Sequence, residues 1–83
     1  MAKVVRQVFI NGQGTVRIIR LRYGDMIHNF DKSEPFKGSY NYVVCLNGNI
    51  LTDGVYLLSG TQQYTKTLEQ AIKQVKQTYE VNI

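Results

Sequence analysis

Most of this chain reads as β-rich apolar runs broken by polar turns, and only the last stretch has an unambiguous period, that of a helix. Between Thr67 and Tyr79, the residues Leu68, Ala71, Ile72, Val75 and Tyr79 fall at i, i+3, i+4, i+7 and i+11. That is one stripe of a 3.6-residue helix. Glu69, Gln70, Lys73, Gln74, Lys76 and Gln77 fill its other side. Thr67 is the expected N-cap, with Gln70 placed to complete a capping box. Glu69 in the first turn and Lys76 near the end suit the helix dipole. The pattern predicts a helix over 67–80.

Upstream, the β-rich runs Val4–Ile10 and Val16–Tyr23 flank Asn11-Gly12-Gln13-Gly14, which predicts a hairpin over 3–23. Pairing Ile10 with Thr15 sets Val8 against Arg17, Arg6 against Ile19 and Val4 against Leu21. A slip of one residue would exchange the faces. In any register Arg20 and Arg22 share one face of the second strand, while Ile19, Leu21 and Tyr23 share the other. Residues 24–39 read as a long loop. In it Asp25 caps a short helical turn with Met26, Ile27 and Phe30 inward, and Asp31–Pro35 is polar surface.

Residues 40–64 read as further strands. Tyr40–Leu46 is apolar on both faces and is the expected central strand. Asn47-Gly48-Asn49 is the expected second hairpin turn, and Ile50-Leu51-Thr52 leads to a turn or bulge at Asp53-Gly54. Val55–Leu58 is strand-like, and Gln62–Tyr64 is a short edge strand or the helix approach. The whole is a single α+β domain over 1–83: an antiparallel sheet of four to five strands with one C-terminal helix packed on one face. The other face is half apolar and is expected to stay wet or to be covered by a partner. A homodimer through that face or an edge strand would enlarge a small core.

Size limits what such a chain can do. Eighty-three residues bury about 60–65% of the unfolded surface, leaving little room for an enclosed cleft. Cys45 is the single cysteine, so an intrachain disulfide or a cysteine-based metal cluster is excluded, and a reducing compartment is expected. The apolar run at the start breaks too soon for a signal peptide, and none approaches the roughly 20 residues of a membrane span. A cytoplasmic protein without a membrane partner is expected.

Charge changes the picture more than size does. The net charge is +4, and it is unevenly placed. Residues 1–24 contain Lys3, Arg6, Arg17, Arg20 and Arg22 and no acid; Asp25, Asp31, Glu34, Asp53, Glu69 and Glu80 all come later. A one-sided cationic segment attracts nucleic acid, anionic lipid or an acidic protein surface. Arg20 and Arg22 on one strand face lie about 6.6–7 Å apart, near the phosphate spacing of a nucleic-acid strand. Tyr40, Tyr42, Tyr56 or Phe9 could offer stacking surfaces. The plainer reading of such arginines is a solvated face that protects a sheet edge, with the aromatics in the core.

Other motifs point to less. Gly12-x-Gly14 matches half of a dinucleotide fingerprint, but it joins two strands and opens no helix, so turn chemistry accounts for it. Asp25, His28, Asp31 and Glu34 recur every three residues with oxygen and imidazole ligands, yet Gly24 and Pro35 bracket them and Lys32 lies among them. Solvated loop polarity accounts for these, and no metal or cofactor is expected. Cys45 sits among apolar neighbours with no charge to stabilise a thiolate, and no catalytic residue is expected.

The function that follows is a small non-enzymatic binding module that contacts nucleic acid through Lys3, Arg6, Arg17, Arg20 and Arg22 of the basic hairpin. The alternative is a protein-binding inhibitor or accessory factor of the kind phages and other mobile elements encode, acting on an intracellular protein.

Overall fold

A computed structural model describes residues 2–29, 32–50, 56–58 and 62–83. The expected hairpin is formed by β1 (Lys3–Ile10) and β2 (Gly14–Arg20). Its turn is closed by the Gln13 N–H donating to the Ile10 carbonyl at 3.0 Å, with Gly12 at φ 79° and Gly14 at φ 130°. Because Gly14 itself enters the ladder, Ile10 pairs with Gly14, and the register is one residue tighter than an Ile10–Thr15 pairing. A bulge at Val5 then shifts it again, so that Val4 lies opposite Ile19 and Lys3 opposite Arg20.

Next in the chain come β3 (Met26–Asn29), β4 (Lys32–Pro35), β5 (Tyr42–Leu46), β6 (Asn49–Ile50), β7 (Tyr56–Leu58), β8 (Gln62–Thr65) and the helix α1 (Leu68–Tyr79). They build two four-stranded sheets, ordered β1-β2-β5-β8 and β4-β3-β7-β6. The first is wholly antiparallel, with β5 inside it as its two-faced pattern requires. The helix packs on this sheet. Ala71 and Val75 meet Val16, Ile18 and Val44 in a buried layer, flanked by Leu68, Ile72, Tyr79, Val81 and Ile83.

Thr67 caps the helix as expected, its Oγ1 accepting the Gln70 N–H at 3.1 Å. The Gln70 side chain reaches the Lys66 N–H at 3.1 Å and not that of Thr67. At the far end Glu80 takes the left-handed conformation with φ 55°, and the chain beyond it turns back so that Val81 and Ile83 join the helix-side core.

The second sheet corrects two expectations. Residues 24–39 are not a loop with a helical turn: the segment forms β3 and β4, and Asp25 accepts the Arg22 N–H in place of capping a helix. Asn47-Gly48-Asn49 is not a hairpin turn either. Asn47, at φ 62°, marks where the chain leaves the first sheet, and β6 pairs with β7 in the second. The parallel pairing of β3 with β7 joins segments far apart in sequence, which alternation within one segment does not reveal.

The second sheet also covers the face expected to be open. Ile27 and Phe36 close over Ile19, Leu21, Val43 and Cys45, and Phe36 stacks on Tyr64 with ring centroids 6.3 Å apart. The apolar reason for a partner copy on that face is thereby removed. Phe30, Asp31, Leu51-Thr52, Asp53-Gly54 and Val55, named above, lie outside the described residues.

Candidate nucleic-acid interface

Cross-strand partners on the helix side of the first sheet fall into rows. The terminal row is Lys3, Arg20, Tyr42 and Thr65; the next is Arg6, Ile18, Val44 and Gln63; the third is Val8, Val16 and Leu46. The inner rows are largely apolar because the helix lies on them. The terminal row lies at the helix start, where Thr65 leads through Lys66 to the Thr67 cap.

Three of the five cations of the basic segment therefore share a face. Lys3 and Arg20 are direct neighbours, and Arg6 follows one row in. Arg6 is exposed and donates to the carbonyl of its own neighbour Val5 at 2.7 Å. Arg20 is half-buried, and its Nε is out of solvent with no hydrogen-bond partner among the described residues. Like charges directly opposite on a strand pair are destabilising, and an unsatisfied buried donor costs about 1–3 kcal/mol.

The other two cations are placed differently. Arg17 points to the opposite face, where Nε donates to Gln7 Oε1 at 3.1 Å and Nη1 to the Gly48 carbonyl at 2.9 Å. It fastens the hairpin to the crossover between the sheets. Arg22 is exposed just past the end of β2, and its backbone N–H donates to Asp25 Oδ2 at 2.7 Å. Burial pushes the Asp25 carboxyl up, but the Arg22 N–H and nearby positive charge, that of the Arg22 guanidinium included, outweigh it and hold the group below the usual carboxylate range. Arg22 is thus partly compensated.

The terminal row also gathers groups from the distant end of the chain. Lys66 is exposed, and its Nζ lies 5.0 Å from the centroid of the Tyr40 ring. Tyr40 is 46% exposed and Tyr23 is 74% exposed. Asn41, next to Tyr40, is tied to the strand end twice: its carbonyl accepts the Leu21 N–H at 2.7 Å and its Nδ2 donates to the Leu21 carbonyl at 2.8 Å. The positive end of the helix dipole lies here too, with Glu69 in the first turn as its offsetting acid.

Comparison with protein-family models, curated proteins and solved structures gives no match. The site is therefore read from its own chemistry.

Of the aromatics considered for stacking, only Tyr40 is exposed beside the cationic row. Phe9 is exposed but lies opposite Thr15, on the other face and near the turn. Tyr42 packs in the helix-side layer, and the side chain of Tyr56 lies outside the described residues. Lys66 and Tyr23 were not singled out in the sequence. Lys66 joins the row only because β8 pairs with β5, and the signal that could have found it was its position just before the N-cap.

The remaining candidates give no second site. Among the described residues no group of three His, Cys, Asp or Glu could hold a metal ion, and Asp31 of the three-residue repeat lies outside them. The His28 Nδ1 is 2.8 Å from Ser33 Oγ across the β3–β4 pair. Cys45 is fully buried. A depression of about 180 Å³ between helix and sheet is lined by Val44, Gln63, Thr78 and Tyr79, and holds no pairing of a nucleophile with a base. No helix among the described residues is long and apolar enough to cross a membrane.

Proposed function

We propose that the protein is a small binding module for nucleic acid, contacting backbone phosphates with the open end of its first sheet. Lys3 and Arg20 form the centre, Arg6 and Lys66 flank them, and Arg22 adds a partly compensated charge. Arg17 is left to a structural role. The observation that carries this reading is the Lys3–Arg20 pair: two cations side by side, one with a desolvated Nε that has no acceptor among the described residues. A phosphate oxygen supplies that acceptor and offsets the repulsion between the two charges.

Such binding is set by counterion release. Four phosphate contacts give a slope of log affinity against log salt of about −3 on a single strand, at about −0.7 per contact. Titration of labelled oligonucleotides at several salt concentrations tests this. Replacing Lys3 and Arg20 together by Met is expected to flatten the slope by about 1.4. Binding that ignores salt, or a double variant with the parental slope, would refute the reading. An acidic protein surface would give similar salt dependence. A pull-down that recovers the same protein partner after nuclease treatment would favour that alternative.

A further inference from the structure

We infer that the open end takes a single strand, with one base stacked on Tyr40; this rests on the nucleic-acid reading above. Tyr40 is the exposed aromatic that touches a cation of the site, with Lys66 Nζ 5.0 Å from its ring centroid. A cation occupies only one face of a ring. Tyr40 is 46% exposed, which leaves surface open to a base, and every base has a π-face to offer.

The ring is also well placed against the phosphate seat. Tyr42 is the direct cross-strand neighbour of Arg20, and Tyr40 lies two residues before it, about 6.6–7 Å along an extended chain. The two Asn41–Leu21 hydrogen bonds fix the backbone between them. A strand whose phosphate sits between Lys3 and Arg20 can therefore lay a neighbouring base on Tyr40 while Lys66 meets the next phosphate. A duplex cannot do this, because its bases are paired inside the stack and only its backbone reaches the cations.

The test compares three probes at one low salt concentration by fluorescence anisotropy: an oligodeoxythymidylate of about twelve nucleotides, an abasic strand of equal length, and a duplex. Stacking of one base is worth about 1–3 kcal/mol, or roughly 5- to 150-fold. The thymidylate is expected to bind tighter than the abasic strand by a factor in that range. Tyr40→Ala should lower it to the abasic level, and Tyr40→Phe should keep the difference. Because Tyr40 is 46% exposed, both variants should keep the parental unfolding transition. Equal binding of thymidylate and abasic strand, or a duplex bound as tightly as the thymidylate, overturns the inference but leaves phosphate contact standing. Absence of binding to all three probes removes both.

Discussion

Arg17 and Arg20 lie on one strand, three residues apart, and serve opposite ends of the same sheet. At the turn end the polar groups are partnered. Arg17 donates to Gln7 and to the Gly48 carbonyl, and Asn47 Oδ1 accepts the Thr15 N–H at 3.0 Å while the Asn47 N–H donates to the Thr15 carbonyl at 2.7 Å. At the open end Arg20 Nε has no partner among the described residues, Lys3 stands opposite it, and Tyr40 and Tyr23 are exposed. A folded chain satisfies its polar groups unless something else will. The difference teaches that charge alone does not mark a binding site. Arg17, with both Nε and Nη1 bound within the fold, acts as a strut, whereas Arg20, whose buried Nε has no partner among the described residues, is the better candidate for a ligand contact.

The turn end should therefore break first under mutation, without touching binding. Gly14 sits at φ 130°, and a Cβ there would overlap the Asn47 side chain at its Oδ1. Asn47 cannot yield freely, since the same oxygen holds Thr15. Gly14→Ala is expected to cost about 2–4 kcal/mol, combining backbone strain with a lost hydrogen bond. Urea unfolding measures it. Below the transition its oligonucleotide affinity should match the parent, and a parallel loss of affinity would mean that the two ends are not independent.

This contrast also shows what could be read from sequence. The helix, its Thr67 cap, the Asn-Gly hairpin and the two-faced β5 were legible because each is a local signal: a period, a cap, a turn or an alternation. The second sheet was not. Met26–Asn29 is four residues of mixed polarity, and it becomes a strand through a parallel partner beyond β5 and β6. The cationic segment was visible as charge, but its division was not. The Val5 bulge and the tight turn decide which residues stand opposite one another, and a two-residue period alone cannot place them. Lys66 was missed for a related reason, being joined to Lys3 and Arg20 only across the full width of the sheet.

Exchanging each arginine for Met separates the two roles, since Met keeps much of the apolar stem. Arg17→Met leaves the Gly48 carbonyl, on a buried residue, without its charged donor, and should destabilise by about 1–3 kcal/mol with little change in affinity. Arg20→Met removes a partnerless Nε and the charge facing Lys3. Its stability should hold or rise, by up to about 1 kcal/mol, while phosphate binding falls. The pair of variants is measured by thermal unfolding and by anisotropy. The same sign of stability change in both would erase the distinction between the two ends.

The smallest effect comes from Asp25, the carboxylate at the open end that accepts the Arg22 N–H. Its carboxyl titrates below the usual range in the folded chain. Its contribution to stability is therefore present above the ordinary carboxylate pKa and lost as pH falls through the lower folded value. Asp25→Asn keeps an acceptor oxygen but cannot ionise, so unfolding followed from neutral pH into the acid range should be less steeply pH-dependent than in the parent. The same substitution removes the charge that partly compensates Arg22 and should make the salt dependence of oligonucleotide binding slightly steeper, by at most about 0.7 if one more phosphate contact is released. A flatter acid limb with an unchanged salt slope would confine Asp25 to holding the β2–β3 turn and leave Arg22 outside the interface.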